Sequence, residues 1–151
     1  MRLVTMAASL LLTTSLLAES PKRIVLFMCP HGGAKSLIAA SYFNELAECE
    51  SLPYVASAVA AETPYDAVPD AVAEHLGREG FAVASFKPRH VEAADFASAE
   101  RVITIDCDLT TLALEDIAIE RWDDVPKVSE DLAGSAAAIR RHVERLIQLL
   151  E

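Results

Sequence analysis

The stretch that decides the fold reads Ile24-Val-Leu-Phe-Met-Cys-Pro-His-Gly-Gly-Ala-Lys-Ser36. Its first five residues are apolar and rich in β-formers, and the run is too short for a helix, so we predict a fully buried strand over 24–28. A thiol, Cys29, stands where that strand ends, and a loop of small residues follows it. Ser36 then opens an apolar stretch, Leu37–Ala47, which predicts a helix packed on the sheet.

A strand, a glycine loop and a helix start in this order predict an anion site. Gly32 and Gly33 tolerate positive φ, so the backbone amides of the loop can turn inward. The helix start adds unpaired N–H groups and the positive end of its dipole, and Lys35 adds a full charge. The predicted anion-binding residues are therefore Pro30, His31, Gly32, Gly33, Ala34 and Lys35.

The same positive field would stabilise a thiolate at Cys29 and make it a nucleophile. Ser36 is a good N-cap residue, and its hydroxyl could also hydrogen-bond the Cys29 sulfur. The alternative is an ordinary buried cysteine beside a turn, but the ordered series of strand, thiol, loop, cation, serine and helix favours a functional site.

Strand and helix patterns alternate along the rest of the chain. Further strands are predicted at Tyr54–Ala60, Arg101–Asp106 and Ile117–Trp122, with amphipathic helices between and after them. This alternation predicts an α/β fold, a doubly wound four-stranded parallel sheet with helices on both faces. Such sheets bind ligands at the carboxyl ends of their strands, where the Cys29 loop would lie.

Length and composition predict one globular domain with a segment in front of it. The chain has 151 residues, of which 52% are apolar. Residues 1–20 show a positive start, an uncharged apolar run and a polar end, so we predict a signal peptide with cleavage near Ala18 and export to the periplasm or medium. An uncleaved anchor and an extra helix on a cytosolic domain are the alternatives. The predicted domain covers 21–151.

Charge and cysteine usage limit the partners. The net charge of −10 argues against nucleic acid and, after signal cleavage, against a membrane surface. The histidines are scattered and no Cys-x-x-Cys motif occurs, so we expect neither a metal nor another cofactor. With three cysteines, one arrangement in an exported protein pairs Cys49 with Cys107 and leaves Cys29 free.

From about Arg23 to the C-terminus, the chain resembles the low-molecular-weight protein tyrosine phosphatases and the related thioredoxin-coupled arsenate reductases. The resemblance rests on Cys29-x5-Lys35-Ser36 after a buried first strand, where the family has Cys-x5-Arg-Ser. It implies the same doubly wound fold, with Cys29 as the nucleophile towards phosphorus, Lys35 as the cation and Ser36 as the sulfur's partner.

Two departures from the family pattern bear on activity. Lys35 replaces an arginine, and a lysine is a point charge where an arginine fork binds two oxygens. The family's general acid is the Asp of an Asp-Pro pair after the fourth strand, but Lys127-Val128 stands there in this chain. Loss of the acid would cost roughly 10²–10⁴-fold. Asp124 is our candidate substitute, with Asp123 as the other possibility. The alternative, which we favour, is that both are solvated carboxylates of the loop.

Three functions are therefore compared. The first is a cysteine-dependent hydrolase of phosphomonoesters, of the phosphotyrosine phosphatase type I kind and weakened by the two departures. The second is a non-catalytic module that binds phosphate or another oxyanion. The third is a reductase resembling arsenate reductase, which would need resolving thiols and a thioredoxin-like reductant. That family's cysteine pair follows the third strand, where Asp106 and then Cys107 stand here.

Overall fold

The structure, a computed structural model, describes residues 19–110, 112 and 116–151. Nearly all of the predicted signal peptide over 1–20 lies outside the described residues. The described elements are β1 (Arg23–Cys29), α1 (Lys35–Cys49), β2 (Tyr54–Ala60), α2 (Asp70–Arg78), α3 (Ala93–Ser98), β3 (Ala99–Ile105), β4 (Ile119–Trp122) and α4 (Leu132–Leu150). None of the helices within these ranges has both the length and the hydrophobicity needed to cross a bilayer.

The strands form one parallel sheet in the order β2-β1-β3-β4. The predicted fold class is therefore confirmed, and the predicted bounds of the second strand agree with those of β2. Strand β1 lies between two neighbours, and its last residue, Cys29, pairs with Ala60, the last residue of β2. Because parallel strands end at the same edge, this register brings the loops that follow β1 and β2 together.

Alternate side chains of β1 enter different cores on the two faces of the sheet. Val25, Phe27 and Cys29 pack with apolar side chains of α1, α2 and α4 on one face. Leu26 and Met28 pack on the other face, where α3 and the segment after β3 cover the sheet. Burial of each such side chain contributes about 1.5–3 kcal/mol, so the central strand is firmly fixed and provides a rigid base for the loop after Cys29.

Candidate active site

Cys29 closes β1 with only 2% of its surface exposed. Its Sγ lies 3.0 Å from the hydroxyl of Ser36, in the first turn of α1. A hydroxyl at this distance can donate a hydrogen bond to a thiolate, and such a bond stabilises the charged form of the sulfur. The predicted pair of Cys29 and Ser36 is thus brought into contact. The prediction of Ser36 as the N-cap is wrong, because Ala34 holds that position and the serine hydroxyl faces sulfur.

The loop after Cys29 is attached to the segment 61–65 through hydrogen bonds that its carbonyl groups accept. The carbonyl oxygens of Cys29, Pro30 and His31 accept hydrogen bonds from the N–H groups of Ala61, Glu62 and Tyr65, at 3.0, 2.9 and 3.0 Å. A trans peptide plane points its N–H opposite to its C=O, so the N–H groups of His31 and the next residue turn away from 61–65.

No protein acceptor in the described part of the chain takes a hydrogen bond from the backbone N–H groups of residues 31–36. Buried amides are nearly always paired with some partner. A series of amides without protein partners, next to a thiol and at the start of a 15-residue helix, is the arrangement that binds an anion.

Gly32 is required by the backbone at the centre of this loop. Its φ is +71°, in the left-handed region that side chains disfavour. A Cβ built on it would lie 2.8 Å from the backbone nitrogen of Ala60, which cannot move without disturbing β2. The glycine therefore allows the loop both to turn and to approach the neighbouring strand.

Lys35 is buried, but its ammonium group is already partly engaged by the protein. Nζ donates to Oδ2 of Asp106 at 3.1 Å and to the carbonyl oxygen of Val125 at 3.3 Å. Since an ammonium carries three N–H donors, one is left for a bound anion. Asp106 follows β3 in the left-handed region, with φ of 56°, a conformation that Asp tolerates better than most residues.

A cavity of about 550 Å³ opens above the thiol. Its lining includes Cys29, Lys35 and other residues of the loop between them, together with Asp106 from the end of β3. Tyr65 and Pro69, which follow β2, line it as well, as does the segment 127–129 from the loop before α4. The cavity thus lies at the carboxyl edge of the sheet, as predicted.

His31 lines this cavity with a fixed ring orientation. Its Nδ1 lies 2.8 Å from the carbonyl oxygen of Thr63, and its ring centroid lies 4.7 Å from that of Tyr65. Because a carbonyl oxygen only accepts, Nδ1 carries the proton in this contact. Nε2 is then the ring nitrogen that remains for a ligand.

The structure does not bring Asp124 to the cavity. Its Oδ1 lies 2.6 Å from Nε2 of His142 in α4, and this hydrogen bond lowers the pKa of the Asp124 carboxyl group below its ordinary value. The His142 ring stacks on Trp122 with centroids 4.6 Å apart, which fixes this arrangement. Asp123 pairs with Arg121 instead. Neither carboxylate lines the cavity, so the geometry lends no support to the predicted role of Asp124 as the acid.

The three cysteines are free and lie in different environments, so the possible Cys49–Cys107 disulfide does not form. Cys107 is buried in the smaller core, and this burial, together with the nearby Cys29, raises the pKa of its thiol to about 12. Cys49 is exposed at the end of α1. The described residues contain no cluster of three or more metal-ligating side chains.

Sequence reasoning missed the contact of Asp106 with Lys35. It placed Asp106 near the edge of the sheet but assigned it no partner. The available signal was topological: strands β1 and β3 are parallel neighbours, so the residues that follow them meet.

The comparisons with known structures agree with the fold described above. The structure of the low molecular weight protein tyrosine phosphatase from T. tengcongensis is 17% identical, with a TM-score of 0.70, covering 85% of this chain and 100% of that one. YfkJ from Bacillus subtilis is 19% identical, with a TM-score of 0.73 and coverages of 87% and 96%. The arsenate reductase from Archaeoglobus fulgidus DSM 4304 is 26% identical, with a TM-score of 0.64 and coverages of 82% and 98%.

A search of curated protein sequences gives no match. The pattern of the family described as low molecular weight phosphotyrosine protein phosphatase matches residues 24–143, from the first strand into the last helix. The match includes the whole of the Cys29 loop and the loop before α4. The chain therefore belongs to the low molecular weight phosphotyrosine protein phosphatase family.

Proposed function

We propose that the protein is a cysteine-dependent hydrolase of phosphomonoesters, of the phosphotyrosine phosphatase type I kind. The observation that carries the proposal is the contact of Cys29 Sγ with Ser36 Oγ at 3.0 Å. Cys29 lines a cavity beside backbone amides that have no protein partner among the described residues. The thiolate attacks phosphorus while the amides of 31–36 and Lys35 hold the phosphoryl oxygens. Water then cleaves the cysteinyl-phosphate. Positioning and charge stabilisation are the main needs of such a transfer.

We expect the activity to be weak for two reasons. Lys35 shares its ammonium between Asp106 and the Val125 carbonyl, so it offers a bound phosphate one donor. An arginine would offer five donors in a fork and could hold both protein acceptors and the anion. In addition, Asp124 is paired with His142 and is not placed to protonate a leaving group.

The reductase reading, with its thioredoxin-like reductant, finds less support. A resolving thiol attacks as its thiolate, and the raised pKa of Cys107, about 12, makes that form scarce. Cys49 ends a helix of 15 residues whose first turn contacts Cys29, which places the two thiols on the order of 20 Å apart. Neither cysteine is well suited to resolve a Cys29 intermediate.

The non-catalytic reading is favoured by one observation, the pairing of Lys35 with Asp106. A protein that binds an oxyanion without turnover would tolerate a cation that is held by a carboxylate. This alternative predicts phosphate binding without hydrolysis.

The test is hydrolysis of p-nitrophenyl phosphate, whose leaving group needs little acid assistance. We expect turnover by the wild type, loss of at least about 10³-fold in Cys29→Ser, and unchanged turnover in Cys49→Ser, a matched control at an exposed thiol. Lys35→Arg should raise kcat/KM, because the fork restores two-oxygen binding. No turnover with phosphate still bound would support the binding module. Thiol-dependent reduction of arsenate that needs Cys107 would support the reductase.

We also propose that the protein is exported, on the charge and hydrophobicity pattern of residues 1–20. Mass spectrometry of the protein from separated cell fractions tests this proposal. A chain in the periplasm or medium that starts near Glu19 is expected. An intact Met1 in the cytosolic fraction would overturn it.

A further inference from the structure

Helices α1 and α2 both begin beside the loop after β1. Helix α1 begins at Lys35, where the loop ends. Helix α2 follows Pro69, which lines the cavity, as do Ala71 and Val72 in the first turn of that helix. A Cβ added to Gly33 would lie 3.5 Å from Cδ of Pro69, so the start of α2 lies next to the backbone of the loop. The position of α2 therefore affects both the wall of the cavity and the space open to the loop.

Few apolar side chains attach α2 to the rest of the domain. The helix has nine residues, and of these only Val72 and Leu76 are buried. A helix of this length is marginal in isolation and depends on packing for its stability. The contacts made at its far end should therefore influence where the whole helix lies.

Tyr42 of α1 makes the main contact at that far end. Its hydroxyl donates to Oε2 of Glu79, the C-cap residue of α2, at 2.6 Å. A hydrogen bond to an ionised acceptor is stronger than one between neutral groups. Burial, together with the Glu79 carboxylate, raises the pKa of Tyr42 well above its ordinary value, so the hydroxyl remains a donor. Nε2 of His75, also in α2, lies 3.4 Å from the same hydroxyl and adds a weaker contact.

Arg140 of α4 fixes the orientation of the tyrosine ring. Its guanidinium carbon lies 3.9 Å from the ring centroid of Tyr42, the geometry of a cation–π contact. The same guanidinium lies 3.9 Å from Oε1 of Glu79 and 3.8 Å from Oε2 of Glu45. Because α1 and α4 pack against each other, they form a fixed base to which Tyr42 attaches the end of α2.

These contacts lie away from the reacting groups. Tyr42 stands two turns after Lys35 in the same helix, about 10 Å along its axis. Neither Tyr42 nor Glu79 lines the cavity, so neither touches an anion bound there. An effect of either residue on the anion would have to pass through the position of α2.

We propose that the hydrogen bond between Tyr42 and Glu79 positions α2, and that this keeps the loop after β1 in the shape that binds the anion. The inference rests on the proposed function for the role of that loop. Tyr42 is then a positioning residue. Loss of the bond lets the start of α2 move away from Gly33, which loosens the backbone that carries the unpaired amides. Small displacements at a reacting centre, caused by a change far from it, can cost about 10²-fold in rate.

A second tyrosine of the chain provides a matched control. Tyr54, at the start of β2, is also buried, and its hydroxyl donates to Oε1 of Glu100 at 3.3 Å. The guanidinium carbon of Arg23 lies 4.7 Å from the centroid of its ring. The same kinds of contact therefore occur at the opposite edge of the sheet from Cys29.

The experiment uses the full-length protein and inorganic phosphate as the probe. Isothermal titration calorimetry gives the dissociation constant of phosphate, and thermal unfolding without phosphate gives the melting temperature. We expect Tyr42→Phe to weaken phosphate binding about fivefold to tenfold and Tyr54→Phe to leave it unchanged, although both lower the melting temperature. In Tyr42→Phe, kcat/KM for p-nitrophenyl phosphate should fall by the same factor as the phosphate affinity.

Substitution of the acceptor separates the hydrogen bond from the charge. Glu79→Gln keeps an oxygen that accepts from Tyr42, so its phosphate affinity should stay within about twofold of the wild type. Glu79→Ala removes that oxygen and should weaken binding as Tyr42→Phe does. Because both variants remove one negative charge, a purely electrostatic effect would strengthen anion binding in both.

The outcomes separate this inference from the proposed function. Equal phosphate affinities of Tyr42→Phe and Tyr54→Phe, or of Glu79→Ala and Glu79→Gln, would overturn the inference and leave a turnover that requires Cys29 intact. If Tyr42→Phe does not fold, the two variants of Glu79, whose side chain is about a third exposed, decide alone. The expected pattern of affinities in a protein without turnover that requires Cys29 would support the inference and overturn the hydrolase.

Discussion

The loop after β1 and the loop after β4 were both predicted to carry catalytic residues, and the structure treats them differently. In the first, Cys29 and Ser36 meet at 3.0 Å around a glycine turn. In the second, Asp124 turns to His142 while Lys127 lines the cavity. The first loop is shaped by its own glycine turn and by backbone hydrogen bonds from the segment 61–65. The second is shaped by His142 of helix α4, which stacks on Trp122 of β4 and hydrogen-bonds the Asp124 carboxylate. A side chain's partner, more than its position along the chain, thus decides its role.

The largest effect should come from the turn of the first loop. Gly32→Ala forces a Cβ to within 2.8 Å of the Ala60 nitrogen at a φ of +71°, so we expect a loss of about 1–3 kcal/mol of stability. We expect phosphate to raise the melting temperature of the wild type and to leave that of Gly32→Ala unchanged. Thermal unfolding with and without phosphate measures both effects.

Gly77→Ala is the matched control for this change. Gly77 lies within α2, and a Cβ added there would meet no atom within 4 Å, so this substitution should stabilise by about 0.5–1 kcal/mol. If Gly32→Ala behaved like Gly77→Ala, the turn would not be what shapes the anion site.

A smaller effect, a gain in phosphate affinity, is expected when the carboxylate beside Lys35 is removed. Asp106→Asn removes the carboxylate that holds Lys35 and leaves the ammonium freer for an anion. Because Asp106 is half exposed, we expect only a threefold to tenfold gain in phosphate affinity, on the order of 1 kcal/mol. Isothermal titration calorimetry measures this gain. Asp108→Asn, on the same exposed segment, should bind phosphate as the wild type does. Weaker binding by Asp106→Asn would mean that the carboxylate positions Lys35 for the anion.

The smallest effect is expected in the second loop. Asp124→Asn should change turnover of p-nitrophenyl phosphate less than about threefold, because the carboxylate faces His142 and a general acid would give at least about 10²-fold. A loss of 10²-fold or more would restore Asp124 as the acid.

The pH dependence of the free energy of unfolding should also report the contact of Asp124 with His142. The folded pKa of Asp124 is lowered, so its contribution is present above the ordinary carboxyl pKa of about 4 and is lost as pH falls through the folded value. For a side chain 70% exposed this is worth about 0.5 kcal/mol. Urea unfolding of wild type and Asp124→Asn at pH 7 and pH 3 measures it. A difference as large at pH 3 as at pH 7 would contradict the ionised Asp124 carboxylate as its source.

The sequence predicted well what depends on neighbouring residues. The run Ile24–Met28 and the apolar pattern at Tyr54–Ala60 identify β1 and β2 because burial and β-branching act locally. It did not reveal the partner of Lys35, which lies 71 residues away, or that of Asp124, which lies 18 residues away on another element. Such pairings depend on how the sheet brings distant loops together, and no local pattern encodes them.

The loop after β1 is attached through main-chain groups, and this affects which sequence changes the site can accept during evolution. The segment 61–65 binds three carbonyls of the loop with its own backbone N–H groups. The shape of the loop therefore depends little on which side chains stand at 61–65. Selection can therefore exchange Tyr65 or Glu62 and remodel the cavity rim while the thiol's surroundings persist. Proline is the replacement that this argument forbids at both positions, since it removes the donor.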